Sequence, residues 1–469
     1  MLLMRLIICI FSLVYHLYLW WSRCIAWALL YVFYIVNVVN TLLRRRGRNG
    51  PLDVFVVGGG IAGCLAARDI ADRGFSNGLR LKVTLVDPKT YFEYTPSVLR
   101  AIVDLREAST ILMPYAASGL PSAGVQVRQA CVTRVDPTAK TIQYTDAVGH
   151  YECGFDYALL SHGVPYAESS IRDWTSQTVE DRRCALEAEN TLMTNAQCIV
   201  LAGGGATGVE LAAELATGLR PLEGGRTRRL VLVCSADRLL HCSPPFAGRY
   251  VLRWLERRGV EVILGDSVQD VAASPTGPKK TVLQLRSGRQ LECDVYRLCA
   301  MRNGDGLDGL PSSKNGVLVN EFLQVKGQGT VFAAGDAVEP LQVCGYGCAR
   351  CGKSAYLAEN TACVAAKNMV RVIKGRQQDL LRFPGTAARR LPTMESVSLG
   401  RWDGVLILNN LVVPGVASAL VKGFIKYSKM DDLHGGLVGR VLWVILDTVS
   451  PYIGRLVPVY EPELKPQNG

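Results

Sequence analysis

The chain has 469 residues, 49% of them hydrophobic, with 46 glycines and no low-complexity tract; this excludes a disordered or collagen-like polymer and suggests about three domains. Its formal net charge is +11, but the excess sits at the ends: residues 1–52 hold six arginines and no acid, and residues 364–430 hold eleven Lys and Arg against three acids. Such ends suit anionic lipid headgroups better than the continuous stripe of a nucleic-acid binder, and fifteen cysteines at no regular spacing exclude a secreted disulfide framework and fit a reducing compartment.

The first predicted element runs from Cys24 to Leu43, "CIAWALLYVFYIVNVVNTLL", twenty residues without a charge. As a helix it rises about 30 Å, the thickness of a hydrocarbon core. A second uncharged run, Leu6 to Ser22, precedes it across Arg23 alone, with no Gly or Pro turn between them. One N-terminal transmembrane helix within residues 1–50 is expected, with Trp20, Trp21, Tyr31 and Tyr34 suited to headgroup depth. "RRRGR" follows at once and keeps the downstream chain cytosolic by the positive-inside rule. The apolar core is long for a cleaved signal peptide, and Ser is too scarce for a mitochondrial presequence.

Next come a buried strand "DVFVV", a turn "GGGIAG", a helix "CLAARDIADRG" and a second strand "LKVTLVD". Gly58, Gly60 and Gly63 fit the three roles of a dinucleotide cradle: a tight turn, close approach of backbone to pyrophosphate, and close helix–strand packing. The helix N-terminus offers unpaired N–H groups and a positive dipole end to phosphate. Asp87, closing the second strand, is placed to accept hydrogen bonds from an adenosine ribose.

The same order recurs at "QCIVLA", "GGGATG", "VELAAELATGL" and "RRLVLVCS", with Gly203, Gly205 and Gly208 in the matching places. Here Cys234 and Ser235 stand where an acid selective for the NAD ribose diol is expected. Arg228, Arg229 and Arg238 lie nearby, either to tolerate a 2′-phosphate or as solvated surface charges, so NADH or NADPH stays open. Glu210, one turn into the helix, either orients a nicotinamide amide and relays a proton or complements the helix dipole. A third piece, "GTVFAAGDAVEP", is a short strand ending in Gly335-Asp336 ahead of a helix, able to bring a carboxylate to a polyol–phosphate chain.

These segments carry a resemblance. "DPKTYFEYTPSVLRA", "GGGATGVELAAEL", "RLLHCSPPFAGRYVLRWLERRGVEVILGDSV" and "NGVLVNEFLQVKGQGTVFAAGDAVEP" are similar to type II NADH:quinone oxidoreductases and to ferroptosis-suppressor flavoproteins, relatives of apoptosis-inducing factor. "GKSAYLAENTACVAAKNMVRVIKG" and "WDGVLILNN" with "LVKGFIKYSKM" look most like the ferroptosis-suppressor branch, and the similarity covers roughly residues 53–430. The resemblance implies an α/β fold of two Rossmann-like domains. FAD would be held by Gly58, Gly60, Gly63, Asp87, Gly335 and Asp336; NADH or NADPH, as co-substrate, would be held by Gly203, Gly205 and Gly208. Glu210 would lie on the nicotinamide side, and Lys353 near a quinone pocket, either against the acceptor or flavin or as a surface lysine. The implied organisation is an anchor at 1–50, an FAD domain at 51–185 and 300–370, an inserted NAD(P)H domain at 186–299, and a membrane-associated region at 371–469. The implied activity takes hydride from the nicotinamide and passes two electrons to a quinone-like acceptor at a mitochondrial outer membrane, endoplasmic reticulum or lipid droplet. Membrane lipid is then a partner and nucleic acid is not; the oligomeric state stays open, a homodimer among the choices.

Three places depart from that pattern: "SHG" (161–163) for Ala-Thr-Gly, "CAMRNG" (299–304) for Ala-x-Gly, and Met1-Leu2 in place of a myristoylated glycine. Two rival readings remain. A disulfide reductase needs a cysteine pair beside the flavin, yet residues 88–130 hold no Cys and the CxxC of the chain is Cys348–Cys351, close to Cys344; three thiolates without a flanking His make a poor zinc signal, and reduced loop cysteines are the plainer reading. A flavin-bearing scaffold of the apoptosis-inducing-factor type is the other. Finally, residues 405–427 and 437–454 are apolar but broken by Pro, Gly and charges, so amphipathic docking is expected rather than a span, with Lys422, Lys426 and Lys429 towards headgroups.

Overall fold

The structure, a computed structural model, describes residues 50–168, 170–173, 175–222, 227–274, 280–300, 307–313, 315–339, 353–383 and 393–457. The expected N-terminal anchor and Cys344, Cys348 and Cys351 lie outside the described residues. Two compact units are distinguished. Of the described residues, the smaller takes 50–52 and Asp72–Leu81, where the N–H of Leu52 donates to Arg80 O (2.8 Å) and that of Leu79 to Gly74 O (2.9 Å). The larger, Asp53–Ala71 and Lys82 onward, carries everything that follows.

In chain order, the first α/β layer contains β1 (Leu52–Val57), α1 (Ile61–Ser76), β2 (Leu81–Asp87), α2 (Val98–Val103), β3 (Gln126–Gln129) and β4 (Tyr157–Leu160). The second begins with α3 (Val179–Asn195) and continues through β5 (Cys198–Ala202), α4 (Ala206–Gly218), β6 (Arg229–Cys234), α5 (Pro245–Glu256), β7 (Val260–Leu264) and β8 (Val295–Leu298). The chain then returns with β9 (Val331–Ala333) and α6 (Ala355–Ile373), and ends in β10 (Met394–Ser398), β11 (Gly404–Leu408), β12 (Leu411–Pro414), α7 (Val416–Leu433) and α8 (Leu437–Leu456).

Two parallel sheets form because β1, β2, β5 and β6 are continuous apolar runs that need cover on both faces. The first sheet has the order β9-β4-β1-β2-β3, and Val54 and Val331 flank β4 opposite Tyr157 and Ala158. The second has the order β7-β6-β5-β8, with Ile199 between Leu230 and Val295. In each, the first strand of the unit lies beside the point where strand order reverses, the crevice where open α/β sheets bind ligands. α4 is buried from Gly208 through Leu215, which its small alanines permit. α3 starts on a capping box: the Asp181 N–H donates to Thr178 Oγ1 (3.2 Å) and the Thr178 N–H to Asp181 Oδ2 (2.9 Å). It runs across residue 185, where the first domain was expected to stop.

The C-terminal region corrects one expectation. Residues 404–414 are the antiparallel hairpin β11–β12, and the apolar stretch 405–427 continues from Val416 in α7. In α7 the three lysines turn inward onto acids instead of outward to headgroups: Lys422 pairs with Glu210, Lys426 with Glu107, and Lys429 with Glu359 at 2.6 Å. Asp432, on the same helix, takes Arg68 of α1 at 2.7 Å. Among the described residues no helix is long and apolar enough to cross a membrane. Cys242 is disulfide-bonded, against the reducing compartment expected, while the nine other described cysteines form no disulfide.

Candidate active site

The first cradle is built by three glycines with three separate constraints. Gly58 has φ +96°, and a Cβ there would stand 2.7 Å from His162 Cα and Ser161 O, so the turn closes directly on the end of β4. At Gly63 a Cβ would lie 1.8 Å from Gly58 O, which fixes how closely α1 approaches the turn. At Gly60 a Cβ would meet nothing within 4 Å: this is the face where backbone can approach a phosphate. Asp87 is buried at the end of β2, its Oδ2 accepting from the Gly59 N–H (2.5 Å) and its Oδ1 from the Lys89 N–H (2.8 Å). Burial raises its pKa, while Lys89 and the two N–H groups oppose the rise. Tyr115 closes the turn from outside, its hydroxyl donating to Gly59 O at 2.9 Å.

Gly335 also has a positive φ, +68°, and its N–H donates to Thr361 Oγ1 of α6 at 2.8 Å. The expected helix does not follow it directly; Gly335–Ala337 is a 3-10 turn, and α6 begins only at Ala355 with Ser354 as its cap. Around Asp336 gather Arg172, 3.6 Å from its Oδ2, and Lys353, whose Nζ donates to Asp336 O (2.8 Å) and Asn315 O (2.9 Å). Lys353 thus lies just before the cap and is held against the strand end. Burial lowers its pKa, Asp336 opposing and Arg172 assisting. Beside them, His162 has a buried Nδ1 without a hydrogen-bond partner. Burial, and then Arg172 and Lys353, lower its pKa to about 4 and keep the ring neutral at physiological pH.

The second cradle repeats the first in detail. Gly203 has φ +128°, and a Cβ there would stand 2.8 Å from Cys299 O; at Gly208 it would lie 1.9 Å from Gly203 O; at Gly205 it would meet nothing within 4 Å. The strand end is occupied by the buried Cys234, whose Sγ would be 2.2 Å from a Cβ on Gly204. The arginines nearby divide. Arg228 and Arg229 sit at the start of β6, the opposite edge of the sheet from the cradle. There Arg228 bonds Thr194 O and Ala196 O, at 2.7 and 3.0 Å, and Arg229 pairs with Glu261 at 2.9 Å. They are therefore removed as 2′-phosphate partners. Arg238 is on the cradle side, its guanidinium engaged with the Ser243 (2.8 Å) and His241 carbonyls.

Glu210 is buried in α4, and its Oε1 receives the Ser398 N–H (2.7 Å), the Ser398 hydroxyl (3.1 Å) and the Lys422 ammonium. The C-terminal sheet and α7 are thereby fixed to the helix of the second cradle. Close by, Glu395 accepts from Ser243 Oγ at 2.9 Å, and burial raises its pKa, as does Glu210. A small enclosed cavity is lined by Ile61, Leu65, Tyr94, Glu359, Lys429 and Leu433, where α1, α6 and α7 meet.

The two cradles are joined by residues that the motifs did not flag. The Tyr166 phenol, four residues past His162, lies near Thr207 in the first turn of α4, Asp336 and Cys299. The Ala167 N–H donates to Ala300 O at 3.0 Å, and the Leu298 N–H to Glu168 Oε1 at 3.1 Å. Both chain crossings between the sheets are thus bonded to each other. Local sequence carries no signal for these pairs, whose members lie up to 133 residues apart.

Two cradles with one open face each, an orphaned imidazole nitrogen between the Gly58 and Gly335 turns, and cations at Asp336 suit two anionic dinucleotides. The model of the family described as pyridine nucleotide-disulphide oxidoreductase matches residues 52–362. The chain is 25% identical over 402 residues to Oxidoreductase ptaL of Pestalotiopsis fici, covering 83% of this chain and 99% of that protein. Ferroptosis suppressor protein 1 of Homo sapiens is 25% identical over 385 residues, covering 80% and 93%. Demethylphylloquinone reductase NdbB of Synechocystis is 24% identical over 410 residues, covering 83% and 95%. The same fold is found in the sulfide:quinone oxidoreductase of Aquifex aeolicus, with a TM-score of 0.65 at 18% identity over 85% of this chain and 95% of that one. NDH2 of Plasmodium falciparum in complex with NADH gives 0.60 at 14% identity over 87% and 99%. The chain belongs to the pyridine nucleotide-disulphide oxidoreductase family and is an oxidoreductase whose cofactors are FAD and NADH or NADPH.

Proposed function

We propose that this protein is an NAD(P)H:quinone oxidoreductase working at a membrane surface, with FAD in the Gly58–Gly63 cradle and the nicotinamide dinucleotide in the Gly203–Gly208 cradle. The observation that carries the reading is the pair of matching cradles, each with an open face at Gly60 or Gly205, whose chain crossings are joined by the Ala167–Ala300 and Leu298–Glu168 hydrogen bonds. FAD, when bound, takes a hydride from the nicotinamide and returns two electrons to an acceptor. The chain contributes position: the N-termini of α1 and α4 hold the two diphosphates, Asp336 holds the polyol, and Arg172 and Lys353 hold Asp336. Glu210 orients the nicotinamide from α4, its own place fixed by Ser398 and Lys422. Lys353 is the donor on the acceptor side.

A quinone is favoured over a disulfide as acceptor for two reasons. Relatives named for quinone chemistry are among those matched, and among the described residues the cysteine in the helix of the first cradle, Cys64, is buried, its Sγ bonded to Gly59 O and its thiol pKa raised by burial. Membrane contact is supported by the outward face of α7 and α8, where Leu420, Phe424, Tyr427, Leu437, Val438, Val441 and Ile445 are all exposed. An N-terminal spanning helix followed by "RRRGR" would hold the catalytic part on the cytosolic side. The test is rapid-mixing flavin spectroscopy on the full chain: reduction by NADH or NADPH, then reoxidation by a short-chain ubiquinone, a disulfide or oxygen. Fastest reoxidation by the quinone is expected; flavin-loaded protein with no acceptor-dependent turnover would favour a scaffold instead.

A further inference from the structure

In the first sheet, β4 lies between β1 and β9. β1 runs into the Gly58 turn and β9 into the Gly335-Asp336 turn, so a single cofactor engaging both turns must cross the end of β4. That end is Ser161-His162-Gly163. Ser161 is consumed by the fold, its hydroxyl donating to Val57 O (2.9 Å) and Gly58 O (3.0 Å). Gly163 is confined by the Arg172 guanidinium, 2.6 Å from where its Cβ would be. This leaves His162 as the polar side chain at the crossing, and its Nδ1 is buried with no partner.

A buried nitrogen left without a bond is destabilising, and native structures rarely keep one without a use. The charged groups facing it explain why it is neither a proton store nor an ion-pair partner: Arg172 and Lys353 flank it, and both are already committed to Asp336 and to backbone carbonyls. A second cation between them is disfavoured, so the ring must act as a neutral group with one donor and one acceptor nitrogen. We propose that His162 is a direct FAD ligand, its Nδ1–H donating to an acceptor oxygen of the pyrophosphate–ribityl chain where that chain crosses β4. The residue stands where the resembling families usually carry threonine. The inference rests on FAD occupying the first cradle.

The test is FAD binding by the full-length apoprotein, followed by quenching of flavin fluorescence and by the visible flavin spectrum. His162→Ala should weaken FAD binding by about three- to thirtyfold, the effect of one hydrogen bond to a neutral or charged acceptor. His162→Asn, whose side-chain N–H2 can stand in for Nδ1–H, should bind within about threefold of wild type. Wild-type affinity in His162→Ala would overturn the inference; so would an Asn variant as weak as Ala, because bulk rather than the donor would then matter. Either refutation leaves flavin-loaded wild type intact, so the acceptor reading stands or falls separately in turnover.

Discussion

The sharpest use of the geometry is to separate the two cradles by a single methyl group. Gly205 caps α4 at φ −78°, ψ −176°, extended backbone that alanine adopts freely, and its Cβ would meet no protein atom within 4 Å. Gly205→Ala should therefore cost the fold about 1 kcal/mol or less, the difference between a poor and a fair N-cap, and lower Tm by only a few degrees, roughly 2 °C. Bound dinucleotide pays the cost instead, because the methyl stands where backbone must approach phosphate. Losing one N–H bond to a charged oxygen costs about 1.5–3 kcal/mol, or about 10- to 150-fold in affinity. The assay is stopped-flow flavin reduction against NADH and NADPH concentration, beside flavin content and a thermal melt. Gly205→Ala should keep FAD and weaken the nicotinamide dinucleotide, and Gly60→Ala should do the reverse. Gly208→Ala, with a Cβ 1.9 Å from Gly203 O, should fail in folding, which shows that placement and not glycine as such decides the outcome. Gly205→Ala protein that lost FAD, or bound NADH and NADPH like wild type, would refute the assignment of the second cradle.

Arg182 is fully buried against Glu93 at 2.6 Å, with Asp173 at 3.9 Å. Arg182→Met should cost about 3–5 kcal/mol by stranding the Glu93 carboxylate, measured by denaturant unfolding, and adding Glu93→Leu should recover most of the loss. Replacing Arg228 and Arg229 by alanine should leave the ratio of kcat/KM for NADPH and NADH unchanged, since both sit at the far edge of the second sheet; a collapse of NADPH use alone would contradict that placement.

The cradles were legible in the sequence because their physics is mostly local: strand, three glycines, helix and strand follow one another, with Gly63 and Gly208 held against their own turns and Gly60 and Gly205 left open to a ligand. Long-range partners were not legible. Glu210 reads as a helix-terminal acid until Ser398 and Lys422, from segments far along the chain, are seen on its carboxylate. The α7 lysines misled because a basic apolar helix ordinarily turns charge outward, and no local pattern announces Glu107, Glu210 and Glu359 waiting beneath it. Arg228 and Arg229 stayed ambiguous for a simpler reason: proximity in sequence to Cys234 hides the fact that a strand has two ends, and they stand at the one away from the cradle.

α7 is an amphipathic helix worn inside out. Lys422, Lys426 and Lys429 form one stripe at i, i+4, i+7, and Leu420, Phe424 and Tyr427 form another two positions away, on the opposite side of the cylinder. Met430 and Leu433 are buried towards its C-terminal end, and four ion pairs reaching α1, α4, α6 and the turn holding Glu107 seat the rest of its inner face. Thermodynamic linkage gives this arrangement a direction. Any amphiphile that covers the outer stripe only while the inner stripe is seated adds its binding free energy to the docking of the helix. If the proposed membrane docking holds, the carboxylate of Glu210, beside the second cradle, would thereby respond to whatever covers the outer stripe of α7.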